Sequence, residues 1–311
     1  LRFLVSMFDA DELNRGVTER PQQRTELARW IPYLVLHAGC LGVLWVGWSW
    51  TAVAVAAGLY AIRMFAITAF YHRYFSHRTF RTSRVAQFVF AVLGNSAAQR
   101  GPIWWASLHR QHHAHSDEED DAHSPVQHGF YWAHIGWLTA RDNLAINPRY
   151  VPDLLRYPEL RFLDRFDTLV PMILAALLLG VGALLGYAAP DLGVTGPQLL
   201  VWGFFISTTV CLHATCCINS LAHVLGSRRY ETRDASRNNW LLALLTFGEG
   251  WHNNHHRYPA AARQGFYWWE LDLSYYGLKL LEALGLIWDL KGVPARVLAS
   301  DRAVVPSGEA P

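Results

Sequence analysis

Charged residues are scarce in this 311-residue chain, and lysine is almost absent. Asp, Glu, Lys and Arg make up 17% of the residues against 52% that are hydrophobic, and Lys279 and Lys291 are the only lysines. The formal net charge of +2 gives no strongly basic surface, which argues against nucleic acid as a partner. A composition this apolar is marginal for a soluble enzyme but typical of membrane spans that alternate with polar segments.

Cysteine motifs and a secretion signal are also lacking. Cys40, Cys211, Cys216 and Cys217 all fall inside apolar stretches and form no C-x-x-C pair. We therefore expect reduced packing residues and neither a disulfide framework nor a cysteine zinc site. No basic region followed by a short apolar core is found near the start of the sequence, so no signal peptide is expected.

Two long stretches lack charge almost completely. No residue at 30–62 is charged, and Asp191 is the only charged residue at 168–227. A spanning helix takes about 20 apolar residues, so each stretch has room for two helices. Tryptophans near 47–50 and turn residues at 190–197 divide the stretches. The sequence therefore predicts an all-α integral membrane protein with four transmembrane helices in two hairpins, near 30–48, 51–71, 168–188 and 198–218.

The arginines predict the orientation of these helices. The short connections near 49 and 190–197 carry no Lys or Arg, whereas the other segments between and outside the spans carry almost all of them. The positive-inside tendency then places both termini in the cytoplasm. We expect a cytoplasmic N-terminal lead, a membrane domain with a cytoplasmic helical cap, and a flexible tail. Their bounds are 1–29 for the lead, 30–292 for the domain with its cap from 72–167 and 219–292, and 293–311 for the tail.

Histidine is concentrated in three clusters at the edges of the uncharged stretches. They are His72-Arg-Tyr-Phe-Ser-His77, His109-Arg-Gln-His112-His113 and His252-Asn-Asn-His255-His256. Asn219 and His223 add a ninth imidazole and an amide one helical turn apart. Neutral imidazole is the commonest protein metal ligand, and one tetrahedral zinc takes about four ligands. Nine imidazoles therefore favour a dimetal centre held in the cap.

Helical geometry predicts how the clusters face the centre. Residues three and four apart share one face of a helix, so the second and third clusters each present three imidazoles in one direction. His72 and His77 are five apart, which is about 140° around a regular α-helix. Both can face one centre only if the helix ends or distorts between them.

The other histidines have a simpler interpretation, as solvated or core residues; they are His37, His115, His123, His128, His134 and His213. The acidic run at 117–121 is either a carboxylate site or, as such runs more often are, a solvated loop or a partner for arginines. Asn219 is either a helix-terminal residue or a metal ligand through a bound water. Arg63, inside the second predicted span, is a functional group, a snorkelling side chain or the donor of a bond from the helix to a carbonyl.

The clusters and their order resemble the integral-membrane fatty acyl desaturases. The resemblance extends to Gly101-Pro-Ile-Trp-Trp105, Asp120-Asp-Ala-His-Ser-Pro125, His134-Ile-Gly-Trp137 and Gly248-Glu-Gly-Trp-His252. The run Ala262-Arg-Gln-Gly-Phe-Tyr-Trp-Trp-Glu270 is similar to bacterial members of the delta-9, stearoyl-CoA desaturase-like branch. Together these motifs cover roughly residues 30–292.

The resemblance implies an enzyme in a bacterial inner membrane that introduces a cis double bond, at delta-9, into a saturated acyl chain. Two irons in the cytoplasmic cap would use O2, which is reduced to water, and zinc could replace iron during purification. The implied ligands are His72, His77, His109, His112, His113, His223, His252, His255 and His256, with Asn219 holding a metal-bound water. Gln99, Trp105 and Thr215 would lie where the acyl chain bends.

One departure from the family leaves the acyl carrier open. Animal acyl-CoA desaturases have Arg-Asp before the second cluster, where this chain has Ser107-Leu108. The carrier is therefore CoA, acyl carrier protein or an intact lipid. Arginines after the first cluster offer phosphate contacts instead, although a positive-inside surface predicts them anyway; they are Arg73, Arg78, Arg81 and Arg84.

The chain shows no flavin or dinucleotide motif, so two electrons must come from an external donor. A ferredoxin, a rubredoxin or a cytochrome b5-like protein fits the basic cytoplasmic face. The nearest alternatives are a membrane diiron hydroxylase, which usually has a shorter HxxxH first cluster, and an acetylenase. A non-enzymatic metal transporter or receptor is a further alternative, but transporters place their ligands near the bilayer midplane.

Overall fold

Four helices in the computed structural model are long and apolar enough to cross a membrane. The structure describes residue 5, residues 8–12 and residues 25–300. Within these residues, the candidate spans are span one (Leu27–Val46), span two (Trp50–Ser76), span three (Leu169–Ala188) and span four (Gly196–His223). Their number and positions agree with the sequence prediction. Spans two and four run several residues beyond their predicted ends. The two-hairpin arrangement and the cytoplasmic cap stay predictions.

Three of the four spans are irregular along their length. Span one joins a 3-10 turn to two helices, Trp30–Cys40 and Val43–Val46. Span two is α-helical over Trp50–Phe65 and then π-helical over Ala66–Ser76. Span four contains a π-helical segment at Leu200–Ile206 before the α-helix Ser207–Ser220.

Shorter elements surround the ends of spans two and four. The helices are α1 (Arg84–Asn95), α2 (Pro102–His115), α3 (Pro125–His128), α4 (Phe130–His134), α5 (Pro158–Arg165), α6 (Trp240–Leu245), α7 (His252–Arg257), α8 (Leu273–Ala283) and α9 (Ala295–Ala299). Separate 3-10 turns occupy Ala10–Glu12, Gly136–Thr139, Arg141–Leu144 and Pro190–Leu192. Strands β1 (Arg81–Thr82) and β2 (Ile287–Trp288) pair antiparallel, with Arg81 opposite Trp288. Helix α9 lies in the predicted tail and its Val297 is buried. Residues 301–311 lie outside the described residues.

Span four packs against each of the other three spans. Gly182 of span three permits a close approach to the start of span four, because a Cβ at this position would lie 2.6 Å from the carbonyl oxygen of Thr195. Polar contacts join span four to span two, where buried Arg63 donates to the Gly203 carbonyl at 3.0 Å and to the hydroxyls of Ser207 and Thr208. Arg63 therefore connects two spans and does not snorkel.

The largest apolar core surrounds the π-helical segment of span two. Phe70 stacks on Phe90 of α1 with ring centroids 3.8 Å apart, and Tyr71 is fully buried beside it. The start of α2 is held by the buried carboxylate of Asp164, which accepts the backbone N–H groups of Ile103 and Trp104 at 2.9 Å each. This cap fixes where α2 begins and so positions the histidines along it.

Candidate metal centre

The nine histidines of the predicted site converge from distant parts of the sequence into two groups. In each group, one ring nitrogen per residue lies within 4.8 Å of all the others. The first group consists of His72, His77, His109, His113 and His255. The second group consists of His112, His223, His252 and His256.

The π-helix brings His72 and His77 together. The backbone N–H of His77 donates to the carbonyl of His72 at 3.2 Å, an i to i+5 hydrogen bond of the π type. Their ring centroids lie 4.9 Å apart. The helix distortion that the five-residue spacing required is therefore present, as a π-helix and not as a helix end.

Helices α2 and α7 each contribute to both groups. On α2, His109 and His113 belong to the first group and His112 to the second. On α7, His255 belongs to the first group, whereas the second group takes the other two histidines of that cluster. The prediction that all three imidazoles of a cluster point in one direction is thus too simple. The centre consists of two histidine groups, and each of these helices contributes to both.

The donor set fits bound transition-metal ions. Within the first group, Nε2 of His255 lies 3.0 Å from Nε2 of His72 and 2.9 Å from Nε2 of His113. A neutral imidazole has one N–H, so clustered ring nitrogens cannot all be satisfied by hydrogen bonds to each other. In the second group, the buried Nε2 of His256 has no hydrogen-bond partner. Metal ions would satisfy these nitrogens.

Burial favours the neutral form of six of the nine imidazoles, whereas the nearby Asp121 raises the pKa of His112 against the effect of burial. Burial lowers the pKa well below the usual value for five of the six, His77, His109, His113, His252 and His255. Burial likewise lowers the pKa of His256 to about 4. Since the neutral ring is the form that binds metals, the site is ready for ligation at neutral pH.

Carboxylates hold four of the rings from outside. The Nδ1–H groups of His112 and His223 donate to Asp121 and Asp117 at 2.9 Å each. His256 donates to Asp234 at 2.6 Å, and His72 pairs with Glu249. A carboxylate on Nδ1 fixes the tautomer that leaves Nε2 free for a metal. Against the burial that opposes it, the hydrogen bond from His223 lowers the pKa of Asp117 to about 2.

The favoured interpretation of the acidic run was wrong for two of its residues. Asp117 and Asp121 are not solvated or partners of arginines, since both bind site histidines. His123 is buried, which agrees with a core residue, and it forms a group with His112 and Asp121. Burial lowers the pKa of His123 to about 3. The available signal was the spacing Asp121-Ala-His123 beside the second cluster.

Arg73 corrects another prediction. Its guanidinium is 1% exposed and donates to the Ala262 carbonyl at 2.8 Å. It also pairs with Asp272 at 2.9 Å and with Glu249 at 3.2 Å. Arg73 is therefore unavailable for a substrate phosphate and instead supports the carboxylate that pairs with His72. It points inward because it lies on the buried π-helical segment.

Arg78, Arg81 and Arg84 lie at the surface. They pair with carboxylates: Arg78 with Asp153, Arg81 with Asp289 at 3.3 Å and Arg84 with Glu159 at 2.7 Å. None of the three lines the cavity that reaches the histidines.

An apolar cavity of about 520 Å³ extends from the first histidine group toward the spans. His109 lies at its inner end, beside Trp105, whose ring stacks on the imidazole with centroids 5.0 Å apart. Gln99 donates to Thr215 at 3.0 Å across the wall, and Asn219 lines the same cavity. The sequence-predicted bend residues therefore lie together, next to the histidines.

Three more histidines interpreted as isolated form a connected chain. Nε2 of His37 lies 2.9 Å from Nε2 of His213. Nδ1 of His213 lies 2.9 Å from Nε2 of His134, which reaches Ser220 through its other nitrogen at 3.0 Å. The chain joins spans one and four to α4, outside both histidine groups.

Comparison with known proteins agrees with this geometry. A family model described as fatty acid desaturase matches residues 48–279. An acyl-CoA 5-desaturase of Anemone leveillei is 40% identical over 266 residues, which are 84% of this chain and 78% of the relative. An sn-1 stearoyl-lipid 9-desaturase of Anabaena variabilis is 38% identical, over 83% of this chain and 91% of the relative.

A third relative is the delta-9 acyl-lipid desaturase 1 of Arabidopsis thaliana. It is 38% identical over 280 residues, which are 89% of this chain and 87% of the relative. The family match covers all three histidine clusters and spans two, three and four. The chain belongs to the fatty acid desaturase family and is a fatty acyl desaturase.

Proposed function

We propose that this enzyme introduces a cis double bond at delta-9 into a saturated, lipid-linked acyl chain, using O2 and a diiron centre. The observation that carries the proposal is the pair of histidine groups beside the apolar cavity. The overall change removes two hydrogens from adjacent carbons. It consumes O2, two external electrons and two protons, and it releases two waters.

Iron is the metal proposed because the reaction needs a redox-active ion. Two bound irons would supply the O2-dependent oxidation of an unactivated methylene, which no acid–base side chain can perform. The two histidine groups would each hold one ion, with Asn219 contributing through a water. The four carboxylates on Nδ1 orient the imidazoles and keep their tautomers fixed.

The cavity positions the substrate. Its apolar lining from spans one, three and four binds the hydrocarbon and excludes water from the histidines. Trp105 closes one wall against His109, and the Gln99–Thr215 hydrogen bond crosses the other. These three residues would bend the chain so that two adjacent carbons meet the metals. That bend favours a cis product.

The names of the relatives and the departure at Ser107-Leu108 support the proposed lipid carrier and the delta-9 position of the double bond. Relatives are named sn-1 stearoyl-lipid 9-desaturase and delta-9 acyl-lipid desaturase, although another is named acyl-CoA 5-desaturase. Ser107-Leu108 also replaces the Arg-Asp pair of animal acyl-CoA desaturases. A hydroxylase is the competing reaction, and the four residues between His72 and His77 disfavour it.

The enzyme would lie in a bacterial inner membrane, with its spans in two hairpins and its metal centre in a cytoplasmic cap. The membrane domain of 30–292 would follow a cytoplasmic lead. Electrons would come from a ferredoxin, a rubredoxin or a cytochrome b5-like donor. The arginine distribution and the four apolar spans support this arrangement.

Expression in a desaturase-deficient bacterial host tests the function. Total lipids would be analysed for double-bond position, chain length and carrier after growth with and without O2. We expect a cis-9 monounsaturated chain on a membrane lipid, formed only with O2. A hydroxylated product would contradict desaturation, and a new bond at carbon 5 or 7 would contradict delta-9.

A further inference from the structure

A second cavity of about 500 Å³ lies at the end of span two, away from the acyl cavity. The two cavities share no lining residue. Its walls carry four basic side chains and four aromatic ones. The basic residues are Arg78, Arg81, Arg156 and Lys291, and the aromatic residues are Tyr74, Phe80, Tyr157 and Trp288.

Positive charge exceeds negative charge in this cavity. Among the described residues, the only lining carboxylates are Asp153 and Asp289, against four cations. Asp153 is also shared with Arg110, whose guanidinium lies 2.7 Å away. Burial and then the charge of Arg156 lower the pKa of Arg78. The cavity would therefore attract an anion.

Gln87 presents an unused donor to the same cavity. Its side chain is 4% exposed and accepts a hydrogen bond from the Tyr74 hydroxyl at 2.9 Å. Its Nε2 is buried without a hydrogen-bond partner. A buried amide donor is unfavourable unless an acceptor meets it, so the group that fills the cavity should present oxygen.

The surface next to the cavity is apolar. Val85 is 76% exposed, and Phe88 and Val89 on the same helix are also exposed. Leu286 is exposed too and lies beside Thr82 of the cavity lining, whose hydroxyl donates to the Leu286 carbonyl at 2.8 Å. Tyr74 belongs to the last turn of span two, so cations and apolar side chains meet where the span leaves the bilayer.

We propose that this second cavity binds the phosphate group of an anionic phospholipid, with the acyl chains lying along the apolar strip on α1. The cavity's cations and the Gln87 amide would bind the phosphate oxygens. An acidic electron-donor protein fits less well, because the surface that flanks the site is hydrocarbon. This lipid would not be the substrate, since its cavity is separate from the acyl cavity.

The test measures lipid binding to the purified full chain in detergent, by native mass spectrometry with phosphatidylglycerol or phosphatidylcholine. We expect phosphatidylglycerol to be retained preferentially. The triple variant R81Q/R156Q/K291Q should bind it about 100-fold more weakly, at roughly fivefold per cation removed. A matched control, R149Q/R233Q, removes two exposed arginines outside both cavities and should bind like the parent.

Further measurements distinguish the lipid proposal from a general anion site and from a docking site for an electron donor. Equal retention of both lipids, or equal loss in the control, would overturn it. Displacement by inorganic phosphate at the concentration of the lipid would show an anion site without lipid selectivity and would also overturn it. So would a triple variant that keeps phosphatidylglycerol but loses an acidic donor protein. If the triple variant fails to fold, the single variant Arg81→Gln replaces it. This variant should fold, because the Arg81 side chain is 76% exposed, and it should bind phosphatidylglycerol about fivefold more weakly than the parent. None of these binding measurements depends on desaturase activity.

Discussion

The carboxylates that accept hydrogen bonds from the site histidines affect how well the site can bind a metal. Asp234 accepts the Nδ1–H of His256 at 2.6 Å, and the partly buried carboxylate has its pKa lowered by that hydrogen bond against the opposing effect of burial. His256 in turn directs its unpartnered Nε2 into the second histidine group. A carboxylate that never touches the metal therefore controls one of its candidate ligands.

Replacing Asp234 with Ala should lower metal affinity by about 10- to 100-fold, because His256 loses its fixed tautomer and orientation. Iron per chain, measured at limiting iron supply, checks this. Asp191→Ala, in the exposed turn between spans three and four, is the matched control and should keep full iron content. Equal iron in both variants would remove the supporting role of Asp234.

His112→Ala and His255→Ala each remove one candidate ligand, one from each group, and should abolish product formation. Membrane insertion should persist, since neither residue lies in a span. The assay is lipid analysis of the expressing host together with membrane fractionation. His128→Ala, in α3 and outside both groups, should retain activity. Full activity in either ligand variant would refute the metal assignment.

At this scale, the sequence predicts the ligands but not their supports. Eight of the nine histidines fall in three short clusters, and His223 lies one helical turn after Asn219, so local pattern is enough to propose them as ligands. Asp117 meets His223 across 106 residues, and Arg73 meets Glu249 across 176. Pairings between distant segments leave no periodic signal, and an acidic run resembles any solvated loop. The buried Arg73 was misassigned for the same reason.

At the scale of elements, the position of α2 depends on one carboxyl group. Asp164 is buried and caps this helix, which carries the second histidine cluster. Burial raises the pKa of Asp164 to about 7, although the backbone N–H of Trp104 opposes the shift. The folded protein therefore binds a proton between about pH 4 and pH 7 that the unfolded chain releases.

Stability should consequently fall as pH rises from about 4 to 7, by up to about 1.4 kcal/mol per pH unit. Asp164→Asn keeps an acceptor oxygen for the cap and removes the titration, so its stability should be flatter over that window. Thermal unfolding of both proteins, at several pH values in one detergent, measures the difference. Identical slopes would mean that Asp164 is ionised in the folded protein.

The elements were only partly predictable. Absence of charge located the four spans because hydrocarbon excludes charged side chains. The helices of spans two and four continue beyond the predicted ends of the spans, since buried polar residues such as Arg73 and Ser220 extend them where hydropathy falls. The spacing of His72 and His77 required a distortion, but only the backbone hydrogen bonds identify it as π-helical.

At the scale of the whole molecule, the spans are apolar on the outside and the polar histidine groups are enclosed. Trp45, Leu44 and Tyr187 are among the most exposed side chains, and the hydropathic window of span one has no buried residue. The histidine groups lie inside, with their rings mostly buried. This arrangement suits a protein whose spans are surrounded by lipid and whose interior binds metals.

Metal binding should therefore stabilise the entire fold. The candidate ligands come from spans two and four and from α2 and α7, so an ion bound to them joins separate parts of the chain. At 100 times the dissociation constant, iron should add about 2.7 kcal/mol to the free energy of unfolding. The measurement is thermal unfolding before and after chelation. A His112→Ala/His255→Ala double variant should show a much smaller change, and an equal change would place the metal elsewhere.

The π-helical winding of span two also limits how its sequence can vary. In a coil whose hydrogen bonds run from i to i+5, a four-residue gap does what a three-residue gap does in an ordinary α-helix. Deleting one residue between His72 and His77 would keep both imidazoles on a common side only if the segment also rewound to i to i+4 bonding. Gap length and winding are thus interdependent, and neither can change by itself without separating the first two histidines.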